Sequence, residues 1–283
     1  MKRILHRVEA MDRRMVYLFM SLAVVLPFFF PVAQRIQVTH PVQQAYGVVD
    51  GLEPGGKPLL LSIDFDPSTV PELQPMAEAI LRHCFARHVR VITMTLTPTG
   101  VGVAEAILHR VAGEFQRKYG EDYVFLGFKP GGGNVILQLG EEFRKLYRTD
   151  ATGTPLDDLP VMRTVHTYSD IGLIVELSDT DIVQDWIKYA VGRYGATYTM
   201  GVTAVMASGY YPYIQTGQTR GMLGGMKGAA EYEQLLVDNR LMPRLGDGSK
   251  GMNSQSMAHL FIIALIFLGN IRYFITSKER WKV

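Results

Sequence analysis

The sequence predicts a single Rossmann-like three-layer α/β domain with a mostly parallel sheet, flanked by an N-terminal and a C-terminal transmembrane helix. Apolar segments of strand length alternate with helical patterns through the middle of the chain. Strands that are apolar on both faces and are separated by helices are typical of parallel sheets covered on both sides. Each end of the chain also carries a long apolar run flanked by basic residues, as membrane-spanning helices do.

The composition excludes several classes of protein. The chain has 283 residues, of which 29 are basic and 27 acidic, and its net charge is +2. Because there is no basic excess, we expect no nucleic-acid partner. The single cysteine, Cys84, excludes an intramolecular disulfide and a zinc site built from several cysteines.

The first apolar run covers residues 15–33 and has no charged side chain. Its 19 residues are close to the roughly 20 that a helix needs to cross a bilayer. A cleaved signal peptide is the alternative, but its apolar region is usually only about 7–15 residues long. We therefore predict an uncleaved transmembrane helix after a basic tail at residues 1–14.

The second apolar run covers residues 257–275. A buried core helix is the alternative, because the uninterrupted apolar part, residues 260–269, is short for a membrane span. Arg272 lies near the end of the run, where a long side chain reaches the head groups, and Trp281 is a residue typical of membrane interfaces. We predict a second transmembrane helix followed by a basic tail at residues 276–283.

The charges at the two ends predict the topology. Basic residues lie mainly outside the two spans, and few lie on the sides that face the middle of the chain. The outer ones are Lys2, Arg3, Arg7, Arg13, Arg14, Arg272, Lys278, Arg280 and Lys282. The positive-inside rule places both tails in the cytoplasm. We therefore expect a bacterial inner-membrane protein whose domain, residues 34–256, lies on the periplasmic side.

Strand and helix patterns alternate in order through this domain. Strand patterns occupy residues 57–65, 89–97, 122–128, 170–178 and 196–214. Helix patterns occupy residues 71–88, 102–120, 139–150, 179–195 and 221–241. Residues 129–137 have the pattern of a loop or of a connection between two strand segments.

Two aspartates follow the first predicted strand, in the sequence Ile63-Asp64-Phe65-Asp66. Ligands of open parallel sheets bind outside the carboxyl ends of the strands, and two carboxylates there are suitable magnesium ligands. A structural interpretation remains open, in which the segment is a turn and helix entry, with Ser68 or Thr69 as the N-cap.

The Asp64-x-Asp66 pattern after an apolar strand resembles the first motif of the haloacid dehalogenase superfamily. That resemblance implies a nucleophilic and an acidic aspartate and a magnesium cofactor. It extends to further positions in the order of that family's motifs, namely Thr95 or Thr97, Lys129, and Asp179 with Asp181. The chain has Pro67 and Ser68 where that family has Gly-Thr.

Two glycine-rich segments are candidate binding sites. Residues 129–134, Lys-Pro-Gly-Gly-Gly-Asn, form either a phosphate-binding loop or a plain connection. Residues 221–229 place glycines at a spacing of four, which gives a helix a nearly bare face. With an upstream tyrosine cluster, this face predicts an interface with another subunit or the membrane, with internal packing as the alternative. The predicted interface residues are Tyr210, Tyr211, Tyr213, Gly221, Gly224, Gly225 and Gly228.

These observations predict a structural or accessory subunit of a larger membrane complex. Its expected partners are the lipid bilayer and other membrane-protein subunits or further copies of itself, and no cofactor is expected. No Gly-x-Ser-x-Gly or His-Glu-x-x-His motif is present. The alternative is a membrane-tethered, magnesium-dependent phosphohydrolase that uses Asp64 and Asp66.

Overall fold

The computed structural model describes residues 12–29 and 36–280. The chain divides into two compact units, Arg35–Ser249 and a unit made from the two ends of the chain. The strands are β1 (Leu59–Asp64), β2 (Val91–Thr95), β3 (Tyr123–Phe128), β4 (Leu173–Ser178), β5 (Tyr198–Val202) and β6 (Met222–Gly224). The α-helices are α1 (Arg13–Phe29), α2 (His40–Asp50), α3 (Val70–Ala86), α4 (Val101–Glu114), α5 (Gly133–Leu139), α6 (Phe143–Leu146), α7 (Ile182–Asp185), α8 (Ala204–Gln215), α9 (Gly225–Asp238) and α10 (Asp247–Arg280).

The six strands of the described residues form one sheet in the order β3-β2-β1-β4-β5-β6, and every pair is parallel. This is the strand order of Rossmann-type folds. β1 and β4 are adjacent at the centre, and their register pairs Leu59 with Leu173 and Asp64 with Ser178. The predicted α/β fold with a mostly parallel sheet is therefore confirmed.

Both faces of the sheet are buried. Leu59, Leu61 and Ile63 of β1 pack into one hydrophobic core, whereas Leu60 between them packs into the other. All six residues of β1 and all six of β4 are buried. This two-sided burial is why the strands appear in the sequence as continuous apolar runs rather than as an alternating pattern.

Two local predictions are wrong, and one helix was missed. Residues 133–139 form α5 instead of a strand connection, and residues 204–215 form α8 instead of continuing the strand pattern of β5. Helix α2, at residues 40–50, was not predicted. The 204–215 segment misled the prediction because it has no charged residue and only two strongly polar ones, Ser208 and Gln215, so its helical periodicity is weak.

The recurring glycines do not share one helix face, because α9 begins only at Gly225. Gly221 and Gly224 precede the helix, and residues 222–224 form the edge strand β6. Gly221 has a φ of +135°, and a Cβ atom there would lie 2.6 Å from the carbonyl oxygen of Pro41. The glycine at this position therefore allows α2 to pack directly against the chain that enters β6.

Among the described residues, one helix is long and apolar enough to cross a membrane, and it spans Asp247–Ile271 within α10. It begins ten residues before the predicted span at 257–275. Helix α1 has 17 residues, and residues 30–33 of the predicted first span lie outside the described residues. Five residues used to predict the second span or the topology also lie outside them, namely Lys2, Arg3, Arg7, Trp281 and Lys282.

The first turn of α10 is bound by a buried carboxylate of α9. Glu233 has no exposed surface. One of its oxygens accepts hydrogen bonds from the amide and the hydroxyl of Ser249, at 2.9 and 2.7 Å, and from the amide of Gly246 at 3.1 Å. The other accepts from the amide of Gly248 at 2.9 Å. A negative charge at these amides stabilises the start of the helix.

Candidate functional site

The expected ligand site of this fold is the crevice between β1 and β4, because the chain order reverses at this point of the sheet. The carboxyl end of β1 carries Asp64, and the loop behind it carries Asp66. The neighbouring end of β4 carries Ser178, followed by Asp179. The fold therefore brings together three of the four aspartates that the sequence nominated for catalysis.

Asp64 is fully buried at the end of β1. Its carboxylate accepts hydrogen bonds from the hydroxyl of Ser62 at 2.5 Å and from the amide of Leu96 at 2.6 Å. Burial raises the pKa of Asp64 to about 6, although the hydrogen bonds from Ser62 and Leu96 oppose the shift. The carboxylate thus binds the start of the loop after β2, and none of its surface is exposed to solvent.

Asp66 has a different role. One of its oxygens accepts from the amide and the hydroxyl of Ser68, at 2.7 and 2.6 Å. The hydrogen bonds from Ser68 lower the pKa of Asp66. This geometry is an Asx turn that leads the chain into α3, where Thr69 holds the N-cap position. These contacts are those of a turn and helix entry, the structural alternative for this segment. Among the described residues, Asp64 and Asp66 share no hydrogen-bond partner.

The carboxylate of Asp179 joins the two loops. Its Oδ2 accepts hydrogen bonds from the hydroxyl of Thr69 at 2.7 Å and from the amide of Asp66 at 3.2 Å. Asp181 is exposed at the N-cap position of α7 and makes no side-chain capping bond. Within the part of the chain that the structure describes, no three His, Cys, Asp or Glu side chains form a group that could hold a metal ion.

The glycine-rich loop after β3 does not direct its lysine into the crevice. The ammonium of Lys129 donates to the carbonyl oxygen of Leu146 and lies 5.3 Å from the ring centre of Tyr147. The loop leads into α5, a helix of seven residues. Lys129 therefore connects the chain after β3 to α6.

A buried polar cluster beneath the crevice was not predicted from the sequence. Glu176 lies in the middle of β4, is fully buried, and accepts a hydrogen bond from the hydroxyl of Tyr198 at 2.5 Å. Burial, followed by the nearby charge of Asp64, raises the pKa of Glu176 well above its usual value. Trp186, which lies beside Asp64, begins a π-helical turn at residues 186–191. The only indication of this cluster in the sequence is Glu176, a single glutamate between apolar residues of the strand.

Some polar atoms of this cluster lack hydrogen-bond partners within residues 12–29 and 36–280. They are the second carboxyl oxygen of Glu176, the indole nitrogen of Trp186 and the hydroxyl of Tyr147. All three side chains are buried. The indole of Trp186 nevertheless lies close to Asp64, and the hydroxyl of Ser178 lies close to Glu176, so polar neighbours surround two of these atoms. The cluster is enclosed by the domain.

The predicted interface residues fall into two groups. Tyr210 is buried, and its ring packs 5.9 Å from that of half-buried Tyr213, while Tyr211 between them is exposed. Tyr211, Gly224 and Gly228 line a surface cavity of about 190 Å³. The other predicted interface residues, Gly221 and Gly225, pack inside the domain, against Pro41 and Ala45 of α2 and against Ala204 of α8, respectively. Sequence spacing grouped all of these residues, whereas the fold places only some of them at a surface.

A scan against models of protein families found no match, and searches of curated proteins and of solved structures found no significant match. The geometry of this chain is therefore the basis for inferring its function.

Proposed function

We propose that this chain is a membrane-anchored accessory subunit whose α/β domain binds another protein of a membrane complex. The observation that carries the proposal is the surface of α8. From Tyr194 to Thr219 the chain has no charged residue, although most of the outer face of α8 is exposed. Val205 is 88% exposed and Tyr211 is 47% exposed. An exposed apolar helix face that carries no charge is typical of a protein or membrane interface.

Helix α10 supports the anchoring part of the proposal. Only 6% of its apolar stretch is buried. Large apolar side chains such as Leu260, Ile263 and Phe267 are more than half exposed, an arrangement that is stable in a lipid environment but unfavourable in water. The first span at 15–33, the bacterial inner membrane and the periplasmic location are part of the same proposal and rest on the charge distribution of the sequence.

The contacts at the switch point also favour a binding protein over an enzyme. Asp64 is buried and hydrogen-bonded, Asp66 forms an Asx turn, and Asp179 joins two loops. Each carboxylate that the sequence nominated here contributes to the local fold. The exposed apolar surface, by contrast, has no such role within the domain.

The test is affinity purification of the full-length chain from mild detergent after crosslinking in cells. We expect Val205→Glu to abolish recovery of the partner, because it replaces the most exposed apolar side chain of α8 with a charge, next to the Glu72 carboxylate that binds the amide of Ala204. Ala106→Glu is the matched control, since Ala106 is exposed on α4, a helix of the opposite face of the sheet. Equal recovery of the same partner by Val205→Glu and wild type would contradict the proposal.

One observation favours a second candidate, the magnesium-dependent phosphohydrolase. The ends of β2, β1 and β4 are adjacent, so Thr95, Asp64 and Asp179 lie at neighbouring strand ends, as the resemblance to the haloacid dehalogenase superfamily implies. Hydrolysis of p-nitrophenyl phosphate with added Mg²⁺ tests it. Activity that disappears in a folded Asp64→Asn variant would support this candidate, and absence of activity in the wild type would remove it.

A further inference from the structure

The surface cavity beside β6 combines apolar walls with one buried carboxylate. It lies between the N-terminal end of α2, helix α8, strand β6 and the first turns of α9. Its volume is about 190 Å³, below the roughly 300 Å³ at which pockets for drug-sized ligands begin. Pro41, Val42, Ala207 and Met222 supply apolar walls. The space and its lining therefore suit a single side chain rather than a whole cofactor.

The carboxylate belongs to Glu231, which is 1% exposed. Its Oε2 accepts hydrogen bonds from the amide and the hydroxyl of Thr39, at 2.9 and 2.5 Å. Its Oε1 has no hydrogen-bond partner within the described residues, although a buried carboxylate oxygen strongly favours one. Oε2 is thus fixed by Thr39 at the N-cap of α2, whereas Oε1 accepts no hydrogen bond with good geometry from the described residues.

One cation of the chain lies near this oxygen. The ammonium of Lys227 is 3.3 Å from Oε1, but its side chain is 57% exposed and forms no hydrogen bond with the carboxylate. Glu231 is buried whereas Lys227 remains accessible to solvent, so the pair is an ion contact without a directed hydrogen bond. A cationic donor that aligns with Oε1 inside the cavity would compensate the same buried charge and can therefore replace Lys227.

We propose that this cavity binds a lysine or arginine side chain presented by the partner protein. The apolar walls would contact the aliphatic stem, and Glu231 Oε1 would accept a charge-assisted hydrogen bond from the cationic head. A buried carboxylate disfavours an anionic ligand, and a purely apolar side chain would leave Oε1 without a donor. The uncharged surface of α8, which includes Tyr211 at the cavity, would surround the inserted side chain.

This inference rests on the proposed function for the origin of the ligand, but the cavity can be tested without the partner. The probe is n-butylguanidinium, added to the full-length chain in detergent micelles. The reporter is the NMR signal of the Met222 methyl group, because Met222 lines the cavity. We expect a saturable shift of this signal with n-butylguanidinium and none with butyrate.

Two variants test the role of the carboxylate. Glu231→Gln keeps an acceptor for Thr39 but removes the charge, and we expect it to weaken binding about tenfold, as expected for a charge-assisted hydrogen bond. Lys227→Met removes the competing cation and should strengthen binding, so it provides a second readout if Glu231→Gln folds poorly. Absence of a saturable Met222 shift in the wild type, or equal affinity in all three proteins, would overturn the inference.

The two experiments separate a failure of the cavity assignment from a failure of the proposed function. If Val205→Glu loses the partner while n-butylguanidinium fails to bind, the interface stands and the cavity assignment fails. If n-butylguanidinium binds and is weakened by Glu231→Gln while Val205→Glu retains the partner, the cavity is a cation site and the α8 interface is wrong.

Discussion

The hydroxyl of Thr69 donates a hydrogen bond to Oδ2 of Asp179 at 2.7 Å and thereby joins the loop after β1 to the loop after β4. These loops border the crevice in which ligands of related folds bind. The same oxygen of Asp179 also accepts from the amide of Asp66. The carboxylate that the sequence suggested for catalysis thus stabilises the packing of the two loops.

We expect Asp179→Ala to lower the free energy of unfolding by about 1–3 kcal/mol, because two donors lose their acceptor. Urea unfolding followed by circular dichroism measures the change. Asp181→Asn is the control, since Asp181 is exposed and its side chain makes no capping bond; its effect should stay within about 0.5 kcal/mol. Equal losses of unfolding free energy in the two variants would show that the hydrogen bonds to Asp179 do not contribute to stability.

The pKa of Asp64 gives a prediction with a defined sign. In the folded protein burial raises it from 3.8 to about 6, so the folded state keeps a proton that the unfolded state releases. The stabilising contribution is full below pH 3.8 and is lost as the pH rises to about 6. It amounts to about 3 kcal/mol. Since Asp64→Asn cannot titrate, its stability relative to wild type should rise by up to this amount between pH 4 and pH 7.

Asp66→Asn is the control for this pH dependence, because the hydrogen bonds from Ser68 shift the pKa of Asp66 in the opposite direction. The contribution of Asp66 is present above its ordinary pKa and is lost as the pH falls through the lowered value. Its stability relative to wild type should therefore not rise between pH 4 and pH 7. Urea unfolding at each pH measures both variants, and parallel curves for wild type and Asp64→Asn would contradict the assignment.

Gly221→Ala should destabilise the domain by several kcal/mol. The φ of +135° is unfavourable for alanine, and the added Cβ would clash with the backbone of Pro41 and Ala45. The matched control is Gly209→Ala in α8, where a Cβ meets nothing within 4 Å and helix propensity improves by up to about 1 kcal/mol. In thermal unfolding, the melting temperature should be lower than that of the wild type for Gly221→Ala and higher for Gly209→Ala. Gly225→Leu should also destabilise the folded domain, since a Cβ there would lie 2.6 Å from that of Ala204.

Glu233→Gln should loosen the first turn of α10. The variant loses the charge and at least one of the four hydrogen bonds that end on the carboxylate. We expect faster amide hydrogen exchange at Gly248 and Ser249, measured by mass spectrometry of the full-length chain in detergent. Asp238→Asn at the exposed end of the same helix is the control. Unchanged exchange in Glu233→Gln would mean that the turn is held by other contacts.

The sequence was sufficient for the class of fold but not for several local features. Strands β1 and β4 are buried on both faces, so their apolar runs identified a parallel sheet directly. Helix α8 was missed because it has no charged residue, and β6 because three residues are too few for a pattern. The role of Glu231 was not predictable, since its partner Thr39 is 192 residues away in the sequence.

The absence of charge around α8 has a practical consequence for peptide mapping. Arg193 and Arg220 are consecutive tryptic cleavage sites, and the peptide between them carries β5, α8 and part of the cavity wall. Trypsin can therefore neither nick this surface when it is free nor reveal its protection when it is covered. Footprinting must instead use a reagent that modifies side chains directly, such as a tyrosine-nitrating reagent, for which Tyr211 is an exposed target.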